Sequence, residues 1–138
     1  MADKEATAVW QEGLAFEATG ATGATVVMDS LESGKGFSPM ELLLVSLAGC
    51  TGMDVIDILR KKRQAVTGLE VRVTGTRAEE HPRKYTAIRI NYSVTGRQVD
   101  PEAVRRAIEL SETKYCAVSA TVSGTAEIKT AFEVREAA

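Results

Sequence analysis

The stretch SPMELLLVSLAGC, from Ser38 to Cys50, reads as the opening of a capped, strongly apolar helix, and it ends on one of the chain's two cysteines. Ser38 suits the N-cap and Pro39 the first helical position. Glu41, three residues after Ser38, completes an S-x-x-E capping box. Downstream, Leu43, Leu44, Leu47, Met53, Val55, Ile56 and Leu59 leave almost no polar stripe, so the helix is expected to be buried on most sides. The basic run from Arg60 to Arg63 suits its C-terminal end, where the helix dipole favours cations. The segment from Met40 to Leu59 is apolar enough to suggest a membrane span, but Glu41, Gly49, Gly52, Asp54 and Asp57 interrupt it. A core helix of a soluble protein, with no membrane partner, is the expectation.

On the N-terminal side, Thr7 to Gln11 and Leu14 to Thr19 alternate apolar and polar residues, and glycines punctuate the chain before TVVMD. This predicts an antiparallel meander over about residues 6 to 29, followed by a loop from Ser30 to Phe37 that leads into the helix. On the C-terminal side, Leu69 to Ala78 and Tyr85 to Val94 alternate as two longer strands, joined by a hairpin loop that holds the single histidine, His81. Asp100 and Pro101 start a second, amphipathic helix that runs through Tyr115 and ends at Cys116. The segment CAVSATVSG follows, and Thr125 to Val134 forms a last strand. Strands, helix, strands, helix and strand in this order predict an α+β fold.

The 138 residues suit one domain, 1–138. Seventeen basic against nineteen acidic side chains leave a net charge of −2, so no basic excess exists to neutralise phosphates, and no nucleic-acid partner is expected. MADKEATAVWQEG lacks the basic head and apolar run of a signal peptide, which points to the cytoplasm. In that reducing compartment, paired thiols are more often catalytic, redox-active or metal-binding than structural disulfides. With no CxxC and one histidine, a closed four-ligand zinc site cannot be built from Cys and His within one chain, and no metal is expected.

The thiols differ in setting. Cys50, in apolar company, reads either as a small core residue or as a reactive thiol. Cys116, beside Lys114 and Tyr115, sits where a cation or helix N-terminal amides can favour a thiolate. Ser46 and Asp54 share the helix face of Cys50, with Asp57 a turn further on. A carboxylate at Asp54 would raise a thiol's pKa unless a cation intervenes. Glu41, nine residues before Cys50, falls on roughly the opposite side of the helix.

SPMELLLVSLAGCTGMDV, followed about 65 residues later by KYCAVSATV, resembles the superfamily of osmotically induced protein C (OsmC) and organic hydroperoxide resistance (Ohr) proteins. It is most similar to the branch whose long helix carries SPMELLL. The resemblance covers nearly the whole chain. It implies an OsmC-like fold with antiparallel sheets wrapped around a long buried central helix, and a cytoplasmic, intertwined homodimer with two active sites at the interface. It further implies a thiol-dependent peroxidase that needs no cofactor. Cys50 would attack an organic hydroperoxide to give a sulfenic acid, Cys116 would resolve it as a disulfide, and a dithiol reductant would regenerate the pair. Glu41 is the third candidate site residue. The sequence departs from the active relatives in two places. No arginine precedes Arg60, so Arg60, Arg63 or a partner-chain cation must activate the thiol. The position directly after the proline, a glutamate in the peroxidases, is Met40. The alternative is a non-catalytic or redox-sensing dimer that binds a small apolar ligand at the interface.

Overall fold

Alternation of small and β-branched residues makes the N-terminal third a meander. In the computed structural model, which describes residues 3–138, β1 (Ala6–Glu12), β2 (Ala15–Gly20) and β3 (Thr25–Met28) form an antiparallel sheet in sequence order. Gly13 supplies the positive φ, 55°, that the β1–β2 turn requires. After β3 the chain folds back on itself. The Phe37 N–H donates to the Val27 carbonyl at 3.1 Å, and the Asp29 N–H to that of Phe37 at 2.9 Å. The long helix α1 (Pro39–Lys61) then opens with the reciprocal box expected of Ser38 and Glu41. The Ser38 N–H donates to Glu41 Oε1 at 3.0 Å, and the Glu41 N–H to Ser38 Oγ at 3.1 Å. Contacts within the chain group into two compact units, one ending at Leu43 and one running from Leu44 to Ala138.

The second unit carries the rest of α1, the strands β4 (Ala65–Arg77), β5 (Tyr85–Arg97) and β6 (Glu127–Glu136), and between β5 and β6 the helices α2 (Pro101–Leu110) and α3 (Ala117–Val122). The sheet order is β4-β5-β6, with β4 and β5 antiparallel. β6 pairs with β5 in parallel, where antiparallel sheets were expected. The helical crossover returns the chain to the end from which β5 started, which is what a parallel neighbour needs. β5 buries Ile88, Ile90, Tyr92 and Val94 on one face, and α2 buries Ala103, Val104, Ala107 and Ile108.

α1 is less enclosed than its composition predicts. Within the chain only one row, Leu47, Thr51, Val55 and Leu59 at successive four-residue steps, is buried, while Val45 and Met53 are exposed. By length and composition α1 would suffice to cross a membrane. What it buries, however, includes the hydroxyl of Thr51, hydrogen-bonded to side chains of β5 and of the turn after α2. The helix closes at Arg63, whose φ of 57° is the left-handed stop usually given to glycine. There the Arg63 N–H donates to the Arg60 carbonyl and the Gln64 N–H to that of Leu59, both at 2.9 Å.

Candidate active site

Cys50 lies in α1, half-buried, and Asp54 stands one turn later on the same face. Cys116 reaches them from the far side of the crossover. α2 begins as the sequence predicts, with Asp100 Oδ1 accepting the Glu102 N–H at 3.0 Å and Pro101 at the first position. It does not continue as one α-helix to Tyr115. Ser111–Tyr115 widens into a π-helical turn, and the Cys116 N–H closes it on the Ser111 carbonyl at 2.8 Å. Cys116 is thereby turned out into extended backbone and caps α3, a short helix absent from the sequence reading. Its sulfur accepts the Ser119 N–H at 3.3 Å. The result is a convergence: the two sulfurs and a carboxylate oxygen of Asp54 all lie within 4.8 Å of one another.

A hydrogen-bonded chain braces this cluster from the core. Thr51 Oγ1 lies 2.6 Å from Tyr92 Oη and 2.8 Å from Ser111 Oγ, and Ser111 Oγ donates to Asp54 Oδ2 at 2.9 Å. Ser111 has one hydroxyl proton, and it goes to Asp54. Ser111 must then accept from Thr51, and Thr51 from Tyr92. The proton order Tyr92, Thr51, Ser111, Asp54 is fixed by this bookkeeping, and every hydroxyl in it is satisfied.

The surroundings of Cys116 oppose ionisation. Burial pushes its thiol up to about 11, the Ser119 N–H offsets only part of that, and the neighbouring Cys50 and Asp54 push in the same direction as burial. Burial likewise raises Tyr92 to about 12.

Glu41 is engaged in the cap of α1. Arg60 is exposed and Arg63 closes the helix, while Asp57 pairs with Lys61 at 2.9 Å on the surface. Lys114 stacks over Tyr115, its Nζ 5.3 Å from the ring centre. His81 is exposed in the loop between β4 and β5. Thr51, Tyr92 and Ser111 are site residues that sequence reasoning missed. The available signal was polarity in an apolar row: Thr51 falls between Leu47 and Val55 at four-residue spacing, and Tyr92 between Ile90 and Val94 at two-residue spacing. On another face of α1, Val45, Gly49, Met53 and Ile56 join Val66 and Val71 of β4 around an open apolar groove of about 660 Å³.

A long helix lying against a mixed sheet, with a half-buried thiol facing a buried one across a crossover, defines an α+β protein built around a dithiol. The chain belongs to the OsmC-like protein family, whose model matches residues 32–131. It is 41% identical over 130 residues to protein YhfA of Escherichia coli, across 94% of this chain and 97% of that one. A hypothetical protein from Aquifex aeolicus superposes with a TM-score of 0.91 at 36% identity, over the full length of both chains. The organic hydroperoxide resistance protein OhrB of Bacillus subtilis shares the fold at 18% identity, with a TM-score of 0.64 over 95% of this chain and 98% of that one.

Proposed function

We propose that the protein is a cytoplasmic, homodimeric thiol peroxidase that reduces organic hydroperoxides as part of oxidative-stress defence. The observation that carries this reading is that the Cys50 and Cys116 sulfurs, from elements far apart in sequence, lie within 4.8 Å of each other. The half-buried Cys50 is the attacking thiol and the buried Cys116 the resolving one. The Cys50 thiolate attacks one peroxide oxygen, the O–O bond breaks, and the departing alkoxide takes a proton to become the alcohol. Cys50 is left as a sulfenic acid. The Cys116 sulfur then attacks the Cys50 sulfur as its proton passes to the departing hydroxide, which leaves as water. A dithiol restores both thiols by exchange and ends as its own disulfide.

The ordinary proton state of Cys116 suits the second role. A thiol held at about 11 stays protonated and leaves the first attack to Cys50. With Arg60 exposed and Arg63 closing the helix, the activating charge for Cys50 is assigned to the second copy. The apolar groove along α1 is the surface on which that copy would sit. It also has the volume and lining of a small-molecule site, which is the alternative reading of a non-catalytic, ligand-binding dimer.

The deciding experiment follows consumption of cumene hydroperoxide and of hydrogen peroxide with a dithiol reductant. The expected result is turnover that favours the organic peroxide and is abolished in Cys50→Ser. Cys116→Ser should undergo a single oxidation without forming an intramolecular disulfide. Wild-type turnover no faster than that of Cys50→Ser would overturn the peroxidase and leave the binding dimer.

A further inference from the structure

We propose that Cys50, Cys116 and Asp54 form a three-ligand site for a soft divalent cation of the zinc class, with the fourth coordination position open. The inference goes beyond peroxide chemistry and stands without it. Its first support is convergence: two sulfurs and a carboxylate oxygen, contributed by α1 and by the end of the α2–α3 crossover, lie within 4.8 Å of one another. Zinc–sulfur bonds of about 2.3 Å and zinc–oxygen bonds of about 2.0–2.2 Å, at tetrahedral angles, place such donors roughly 3.5–3.8 Å apart. Closing from the present separation takes movements on the order of 1 Å, within side-chain rotation.

The second support is the electrostatic character of the cluster. All three donors are anionic in their ligating forms, and the groups that touch them, the Ser119 N–H on the Cys116 sulfur and the Ser111 hydroxyl on Asp54, are neutral. A thiolate pair beside a carboxylate needs positive charge, and a divalent ion at their centre supplies it. Two sulfurs and one oxygen also select by softness, since magnesium and calcium favour all-oxygen sites.

The third support is the arrangement behind the donors. Metal ligands are held by outer-shell hydrogen bonds, and here Ser111 donates to Asp54 Oδ2. Ser111 is itself fixed by Thr51 and Thr51 by Tyr92, so the carboxylate is oriented from the core. Cys50 and Asp54 are half-buried, which gives the ion a path in and a place for water or an exogenous ligand. With no CxxC and a single histidine, a closed four-ligand Cys/His site cannot be built within one chain, and three donors leave the fourth position open. Metal and disulfide are mutually exclusive, because both use the same two sulfurs.

The test titrates cobalt(II), then zinc(II), into the reduced, untagged, metal-free protein. It follows the sulfur-to-cobalt charge-transfer absorption and measures zinc affinity against a chromogenic chelator. One ion per chain with that absorption is expected, and zinc should displace cobalt. Cys50→Ser and Cys116→Ser should each lose about 100-fold or more in zinc affinity, and Asp54→Asn and Ser111→Ala about 10- to 100-fold. Wild-type protein oxidised to the disulfide with diamide, which needs no substitution in the core, should bind none. A reduced protein without sulfur-to-cobalt absorption would overturn the site. So would zinc affinity unchanged in Cys116→Ser or in the oxidised wild type.

Discussion

Thr51 sits in the one buried row of α1, next in sequence to Cys50, and its hydroxyl is the middle link between Tyr92 and Ser111. Replacing it by valine keeps the shape and leaves two buried hydroxyls short of a partner. Thr51→Val should therefore destabilise the fold by about 1–3 kcal/mol, and Thr51→Ser by much less, as read from urea unfolding midpoints. Equal midpoints for the two variants would show that the hydroxyl chain contributes nothing. The raised thiol of Cys116 makes a second prediction at this scale. A group whose folded pKa lies above its unfolded one adds stability below the unfolded value and loses it through the folded one. For Cys116, that contribution is complete below pH 9.0 and is lost as pH rises through about 11. Over that window wild type should lose more stability than Cys116→Ala, and parallel curves would refute the assignment. Local signals such as the capping box and the two cysteines were readable in the sequence. The Tyr92–Thr51–Ser111 chain was not, because its links span 41 and 60 residues and no local pattern carries such a pairing.

The elements were legible wherever their ends depend on short-range chemistry. Ser38, Pro39 and Glu41 fix the start of α1, and Asp100 with Pro101 the start of α2, each through contacts within three residues. Features set by distant neighbours were not. β4 begins at Ala65, four residues before the predicted Leu69, because Ala65 and Val66 find partners in Arg97 and Gly96 of β5. The parallel direction of β6 and the widening of α2 into a π-helical turn are likewise tertiary. Gly96 shows why the paired ends of β4 and β5 tolerate no added bulk, since a Cβ there would run into the Ala65 carbonyl oxygen and the Val99 side chain. Gly96→Ala should cost about 1–3 kcal/mol, most of it in a lowered thermal midpoint, and an unchanged midpoint would mean that the strand ends yield freely. Arg63 predicts the opposite sign. Held at a φ of 57°, it pays for a left-handed backbone that glycine adopts freely. Arg63→Gly should be neutral to stabilising by up to about 1 kcal/mol, and a clear loss would reveal an interaction of the arginine side chain that outweighs the strain.

For the whole molecule, the question is what covers the apolar surface the single chain leaves in water. Met53 is 72% exposed and Val45 44%, and both line the groove between α1 and β4, on a helix whose sequence predicts burial on most sides. A helix buried along one row within its own chain needs a second apolar surface for the rest, and the proposed homodimer provides one by laying two such faces together. Burying a methionine contributes about 1.5–3 kcal/mol. Placing a carboxylate in the same apolar contact adds a desolvation penalty of several kcal/mol after relaxation. At 1.4 kcal/mol per tenfold, Met53→Glu should weaken self-association by at least about 100-fold. Because Met53 is exposed in the single chain, the substitution should leave the chain's own packing intact, so far-ultraviolet circular dichroism should match wild type while sedimentation velocity across a dilution series changes from dimer to monomer. Wild type that sediments as a monomer at every concentration, or Met53→Glu that dimerises as tightly as wild type, would show that this groove is not the contact between copies. The groove would then stand as an open apolar site for a small molecule.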